Sequence, residues 1–263
     1  MLTTRFVTGS VNWTDLTTPG IEGANTFYGE LFGWRFQPGS PEFGGYGTYE
    51  LDGKAVAGGM PLAEEMGPPR WGIFFQSPDA DATAKAVAQA GGTVVAEPMD
   101  VADLGRMAVF TDQAGAEFGV WQPGTMPGLE AVNTAGSLCW AELYTTDVAA
   151  AVGFYGAVLG LQAFEVTFPG GSYTTVYPEG TTADDMFGGI VAKESDPVEA
   201  AGEAYWLPYF AVDDCDATVA TAERLGGTVR MEPTDMEDVG RLAKLADPHG
   251  LRFALLKPVP PQG

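Results

Sequence analysis

The sequence predicts an α+β protein made of two tandem copies of one unit, with four βαβββ modules in all. Three observations predict it. Shifting the 263-residue chain by 135 positions lays Trp71–Pro123 on Trp206–Pro258 without a gap, and 21 of those 53 residues are identical. Self-similarity at a fixed offset over such a length marks a duplication. Upstream, a shift of 127 pairs Val11-Asn12-Trp13 with Leu138-Cys139-Trp140, Phe27-Tyr28 with Phe154-Tyr155, and Gly33 with Gly160. Finally, the order strand, helix, three strands recurs within each copy.

The elements follow in chain order. In the first half of the first copy a strand is expected over 10–17, a helix over 22–31, and strands near 34–37, 46–51 and 54–60. In the second half a short apolar strand leads to Asp79, which caps a helix running through alanines to Gln89-Ala90 and stopping at Gly91-Gly92. Three strand-like runs follow, Thr93–Ala96, Arg106–Thr111 and Glu117–Trp121, separated by Asp/Gly turns. The second copy repeats this, with Asp214 to Leu225 as the helix before Gly226-Gly227. The change of offset places extra residues in the second copy, around Gly180–Asp185 and Lys193–Gly202. Gly44-Gly45 and Gly170-Gly171 read as turns. The expected domains are 1–125 and 137–263. The linker, 126–136, lies in the Pro/Gly-containing stretch Gln122–Gly136.

Composition narrows the partners. Thirteen basic against 35 acidic residues give a net charge of -22, and the basic residues are scattered singly. Phosphate backbones are repelled, so nucleic acid and anionic membrane surfaces are not expected as partners. No stretch approaches the ~20 apolar residues of a membrane span, and Met1-Leu2-Thr3-Thr4-Arg5 lacks a signal-peptide run. A cytoplasmic protein is expected. Cys139 and Cys215 lie in apolar segments where a small buried hydrophobe is the usual role, so both are expected reduced.

The module pairing carries Phe-Tyr-x4-Gly at the end of each first helix (Phe27-Tyr28…Gly33, Phe154-Tyr155…Gly160). It also carries Asp-x2-Gly before each last strand (Asp112…Gly115, Asp247-Pro248-His249-Gly250). In these features the chain resembles the glyoxalase/bleomycin-resistance/extradiol-dioxygenase superfamily, also called vicinal oxygen chelate. In particular it looks like tandem two-domain members named glyoxalase-like or hydroxylase, some of them near antibiotic biosynthesis genes. The resemblance covers nearly the whole chain. It implies cupped mixed sheets with helices outside, and, in the superfamily's enzymes, a divalent metal held by side chains from the first and last strands of the modules. One fold hosts many activities, so function must come from the site.

The ligand columns that the resemblance implies fall on Trp13, Gly58-Gly59, Gly72 and Gly119 in the first copy. In the second they fall on Trp140, Gly188-Gly189, Leu207 and Ala254. None of these side chains binds a divalent ion, and the single histidine, His249, sits in a turn where solvation is the simple expectation. No metal and no cofactor are expected. With the one histidine in a turn, neither a Ser/His/Asp nor a Cys/His arrangement is expected, and no phosphate-binding glycine loop follows a strand and opens a helix.

Strand alternation places other residues in phase with the empty columns. They are Trp13, Asp15, Thr17, Phe74, Gln76, Glu117 and Trp121, then Trp140, Glu142, Tyr144, Tyr209, Arg252 and Leu256. The out-of-phase set (Leu16, Phe75, Phe118, Val120, Leu143, Phe210, Phe253, Leu255) reads as core. Indole and phenol rings with isolated polar groups suit a planar aromatic ligand, for which Trp13, Phe74, Gln76, Trp121, Trp140, Tyr209 and Arg252 are the expected contacts. Alternatively the tryptophans plug space left by lost ligands. Asp15 and Glu142 stand two residues beyond each tryptophan. A carboxylate in a dry aromatic cup has its charged form disfavoured, which suits acid–base work. Glu142, Asp15 and Tyr144 are therefore the catalytic candidates, against the alternative that the carboxylates pair with an arginine or the backbone. Arg106 and Arg241 are expected to pair with Asp103 and Asp238, Trp71 and Trp206 to lie in the core or a domain interface, and Trp34 to pack.

Two functions remain open. One is a protein that binds an aromatic natural product or drug, as an accessory to antibiotic biosynthesis or in resistance. The other is a metal-independent isomerase, cyclase, lyase or hydroxylase accessory using Glu142 or Asp15. In either case a biosynthetic partner enzyme and a monomer or homodimer are expected.

Overall fold

A computed structural model describes residues 1–63, 66–168 and 171–259. Within them the first copy comprises β1 (Val11–Thr18), α1 (Ile21–Phe32), β2 (Arg35–Pro38), β3 (Gly47–Leu51) and β4 (Lys54–Pro61), then β5 (Arg70–Gln76), α2 (Ala80–Gln89), β6 (Thr93–Val101), β7 (Gly105–Thr111) and β8 (Glu117–Pro123). The second comprises β9 (Leu138–Thr145), α3 (Val148–Leu159), β10 (Leu161–Phe168), β11 (Gly171–Pro178) and β12 (Gly188–Ala192), then β13 (Tyr205–Ala211), α4 (Cys215–Arg224), β14 (Thr228–Met236), β15 (Gly240–Ala246) and β16 (Arg252–Pro258). This is the βαβββ order four times over. The strands form two eight-stranded mixed sheets, β2-β3-β4-β1-β5-β8-β7-β6 and β10-β11-β12-β9-β13-β16-β15-β14.

Local chemistry sets the helix ends. Asp79, Asp147 and Asp214 each accept a hydrogen bond from the backbone N–H three residues on, at 2.9–3.0 Å, satisfying an otherwise orphaned donor. Gly33 and Gly160 end α1 and α3 with φ of 77° and 67°, the left-handed region open to glycine. β6 continues five residues past the expected Ala96, through Pro98, because it is an edge strand whose bulged register spares the missing N–H. In the second copy short 3-10 turns occupy Ala183–Asp185 and Lys193–Ser195, inside the expected insertions. Strand register pairs Asp15 with Gly58 and Glu142 with Gly189, so four of the extra residues precede β12 and four follow it. The expected turn at Gly170 lies outside the described residues, while Gly44 and Gly45 have the positive φ of a turn.

The chain divides into two compact units that do not coincide with the two sequence copies. One contains Met1–Trp13, Gly72–Gly128 and Trp140–Trp206; the other contains Thr14–Trp71, Leu129–Cys139 and the residues from Leu207 on. Each unit thus takes one module from each copy, with α2 packing against α3 in the first and α1 against α4 in the second.

The same buried relay sits at the core of each. In the first unit the Trp206 indole N–H donates to the Tyr155 hydroxyl (2.9 Å), which donates to Asp112 (3.1 Å). In the second, Trp71 donates to Tyr28 (3.1 Å), which donates to Asp247 (3.2 Å). The other oxygen of each aspartate accepts two backbone N–H groups of its own turn, at 2.8–2.9 Å. Burial pushes both tyrosines well above their ordinary pKa, and it raises both aspartates despite these hydrogen bonds. Every out-of-phase residue named above is buried, and rings cluster around each relay, among them Phe75 and Phe118 in one unit and Phe210 and Phe253 in the other.

Two local expectations are corrected. Arg106 pairs with Asp81 and Asp100, not Asp103, and Arg241 pairs with Asp216 and Asp235, not Asp238. Each arginine reaches across to the first turn of a helix, α2 or α4, where a carboxylate is already favoured by the helix dipole. His249 is half-buried: a Cβ on Gly20 would stand 2.5 Å from its Nε2, so the imidazole packs on the start of α1. Trp71 and Trp206 lie in the core as expected, and Trp34 is buried with its N–H on the Gly136 carbonyl at 2.6 Å. Both cysteines are free thiols, and burial raises Cys139 to about 12 and Cys215 to about 11.

Candidate functional site

Trp140, Glu142 and Tyr144 alternate along β9, and the two-residue period of a strand puts them on one face. Glu142 and Tyr144 are only 9% and 2% exposed. The Tyr144 hydroxyl donates to Glu142 Oε2 at 2.6 Å. Tyr173, two strands away on β11, donates to Oε1, also at 2.6 Å. The Trp140 indole N–H donates in turn to the Tyr173 oxygen at 2.9 Å. One carboxylate thus accepts two phenolic protons, one per oxygen, at the short distances typical of charge-assisted bonds.

Tyr173 holds this position because β12 offers no side chain beneath it. A Cβ on Gly189 would lie 2.1 Å from its hydroxyl. Burial, then the Glu142 charge, drive the Tyr173 pKa well above its ordinary value, so this phenol stays protonated and able to donate. The wall extends through Tyr205, whose ring stacks on Tyr144 at 5.8 Å and 26° and whose hydroxyl donates to the buried Glu199 at 2.7 Å. Glu199 lies in the second-copy insertion.

Three of the expected residues, Trp140, Glu142 and Tyr144, therefore meet in one network. Two tyrosines, on β9 and β11, donate to the Glu142 carboxylate. In the first copy, Phe74 faces Gly119 in register and covers it so closely that a Cβ there would be 2.2 Å from the ring. Gln76 accepts from Asn12 at 2.8 Å. Trp121 donates to the Met126 carbonyl at 2.8 Å while its ring packs on Gly105. Trp13 is buried, and Asp15 meets the Tyr46 hydroxyl at 3.5 Å, the limit of a hydrogen bond. Tyr209 is buried on β13 and Arg252 is exposed on β16. Cavities of ≈ 190 Å³ at the start of α3 and ≈ 340 Å³ beside the N-terminal segment contain none of these residues.

Sequence reasoning missed Tyr173, Tyr205 and Glu199. The signal for Tyr173 was present, because the 127-residue shift that pairs Trp13 with Trp140 and Asp15 with Glu142 also pairs Tyr46 with Tyr173. For Glu199 no such signal exists, since the first copy has no equivalent segment.

Paired βαβββ modules with mixed sheets define the vicinal-oxygen-chelate class of protein. Residues 137–255 match the Glyoxalase/Bleomycin resistance protein/Dioxygenase superfamily and residues 14–121 match the Glyoxalase-like domain, so the chain belongs to that superfamily. It is similar to the anthracycline biosynthesis protein DnrV of Streptomyces peucetius, 40% identical over 269 residues and covering 97% of this chain and 95% of that one. The anthracycline biosynthesis protein DauV of Streptomyces sp. (strain C5) is 39% identical over the same coverage. Among solved structures, the Mn(II)-bound glyoxalase from Novosphingobium aromaticivorans shares the fold, with a TM-score of 0.62 at 15% identity, covering 95% of this chain and 82% of that one.

A divalent metal is implied by such neighbours, and the residues here do not fit one. The positions at which the resemblance places ligands carry tryptophan, glycine, leucine or alanine, and two of the glycines lie beneath the rings of Phe74 and Tyr173. Among the described residues no group of three or more His, Cys, Asp or Glu side chains is placed to hold an ion. Nor is any described helix long and apolar enough to cross a membrane.

Proposed function

We propose that this protein binds a planar aromatic small molecule without a metal, on the face centred on Glu142, as an accessory to antibiotic biosynthesis or resistance. One observation carries the reading: the network Trp140–Tyr173–Glu142–Tyr144, in which indole and phenol rings surround a buried carboxylate. The rings supply stacking surface, each well-placed pair contributing roughly 0.5–1.5 kcal/mol beyond burial, and the fixed hydroxyls and carboxylate orient polar substituents. Two relatives named for anthracycline biosynthesis support the ligand class. The protein would act in the cytoplasm, as monomer or homodimer, beside a biosynthetic enzyme that makes or consumes the bound compound.

The 2.6 Å bonds favour a second reading, a metal-independent enzyme. A carboxylate flanked by two phenols can take a proton from an activated carbon and return it elsewhere, while a phenol held protonated donates to a developing enolate oxygen. An isomerase, cyclase or lyase would use these groups, with Asp15 as the weaker first-copy counterpart.

Tryptophan-fluorescence quenching by a panel of planar hydroxylated metabolites, alongside metal analysis of purified protein, tests the first reading. Saturable quenching with no stoichiometric metal supports it, and stoichiometric Zn, Ni, Fe or Mn overturns the metal-free part. Glu142→Gln separates the two readings: loss of turnover with retained binding makes the protein an enzyme, whereas bound compounds that wild type never converts make it a binder.

A further inference from the structure

The repeat extends upstream of β1. The 127-residue shift pairs Leu2 with Leu129, Gly9 with Gly136 and Ser10 with Ser137, and the two segments fold alike. Val7 N–H donates to the Ser10 hydroxyl at 3.1 Å, and Thr134 N–H to the Ser137 hydroxyl at 3.0 Å. Gly9 and Gly136 share a positive φ, 83° and 81°, and Leu2 and Leu129 are both buried.

The two segments pack on different connections. In the second unit Glu130 clamps the start of β4: its N–H donates to the Ala55 carbonyl at 2.8 Å, and its carboxylate accepts the Ala55 N–H at 2.7 Å. There β3 turns into β4 through Asp52-Gly53 alone, both with the positive φ of a tight hairpin turn. In the first unit the corresponding connection, residues 179–187 between β11 and β12, carries four extra residues. Thr3 stands where Glu130 does and has no carboxylate to form the clamp. A cavity of ≈ 340 Å³ lies between residues 1–11 and this connection.

That volume is at the lower end of the ~300–1,000 Å³ of small-molecule sites. Leu2, Val11 and Phe187 give it a buried apolar lining, to which the half-buried Phe6 adds a ring. Of its charged groups, Asp185 accepts from the Thr182 N–H at 3.1 Å and from its hydroxyl at 3.4 Å, and the Met1 ammonium donates to the Asp184 carbonyl at 2.5 Å. Arg5 differs. It stands where the other copy has Val132, is exposed, and lines the cavity. Arg106, Arg224 and Arg241 each pair with a carboxylate, whereas among the described residues Arg5 is in no ion pair.

We infer that this cavity is a second binding site, separate from the Glu142 face, for a small monocarboxylate with an apolar ring. The ring fills the space lined by Phe6, Val11 and Phe187, and the carboxylate meets the planar donor fork of Arg5. The net charge of -22 repels anions at long range, so a single negative charge and an apolar body are both required of the ligand.

Calorimetric titration with 3-phenylpropionate and with its uncharged amide tests this. Wild type is expected to bind the acid about tenfold more tightly than the amide. Arg5→Gln should erase that preference and leave amide binding unchanged, while Phe6→Ala should weaken both about fivefold. An Arg5→Gln protein that keeps the preference overturns the inference, and so does a Phe6→Ala protein that binds both compounds as wild type does. A wild type that binds acid and amide equally, or binds neither up to about 10 mM, overturns it as well.

Discussion

The two copies of the repeat keep the same skeleton and differ in what stands on one sheet face. Trp13, Asp15 and Tyr46 correspond to Trp140, Glu142 and Tyr173. In the second copy the longer carboxylate side chain brings its oxygen to 2.6 Å from the tyrosine, whereas in the first the aspartate stops at 3.5 Å. Thr17 becomes Tyr144, and the row Val109–Gly119–Phe74 becomes Lys244–Ala254–Tyr209. The core relays on Asp112 and Asp247, by contrast, match to 0.1 Å in their tyrosine bonds. The two copies share the supporting relays and differ in the polar groups that stand on one face.

Substitutions at matched positions should therefore have equal effects in the relays and unequal effects on the faces. The largest effect is expected for Asp112→Ala and Asp247→Ala. Each strands two backbone N–H groups and a buried tyrosine hydroxyl, costing about 3 kcal/mol or more in urea unfolding. A clear inequality between the two would break the symmetry argument. The pH dependence has a definite sign. Burial raises both aspartates above the ordinary 3.8, so the folded chain retains protons that the unfolded chain has released. That contribution is complete below 3.8 and is lost as pH rises through the folded value, so Asp112→Asn should destabilise more at about pH 3 than at about pH 7.

Next come the faces. Gly119→Ala forces a methyl into the Phe74 ring and should cost about 1–3 kcal/mol, recovered in part by Phe74→Leu, whereas Ala254→Gly should cost under about 1 kcal/mol. Tyr173→Phe should lower stability by about 1–2 kcal/mol and Tyr46→Phe by about 0.5 kcal/mol or less, as their 2.6 and 3.5 Å bonds require. Equal losses would mean that the two carboxylates are equivalent after all. The smallest effect is expected at Arg106→Gln and Arg241→Gln, whose partners are exposed. Thermal melts should shift by equal, barely measurable amounts that vanish in high salt.

Much of this was legible in the chain. The caps Asp79 and Asp214 and the helix ends at Gly33 and Gly160 follow from local chemistry, and the buried faces from a period of two. The error at β6 arose because a proline ends an interior strand but not an edge strand, and edge position is not a local property. The arginine pairs were misassigned for a related reason: the nearest aspartates in sequence lie at the turn, while Asp81 and Asp216 come close only when the helix packs on the sheet. Glu142 was found with Tyr144 because both lie on one strand. Tyr173 was missed because it enters from another strand, at a position that only register defines.

What the sequence determined by itself was the duplication, the four modules and the superfamily, all of which depend on residue type and spacing. Only the tertiary structure decided that each compact unit takes one module from each copy, and that Glu142 binds two tyrosines. It also decided that Lys244 of the second copy is buried. These outcomes rest on strand register and helix packing, where a few ångströms set by distant residues choose among partners that are equivalent in the linear chain.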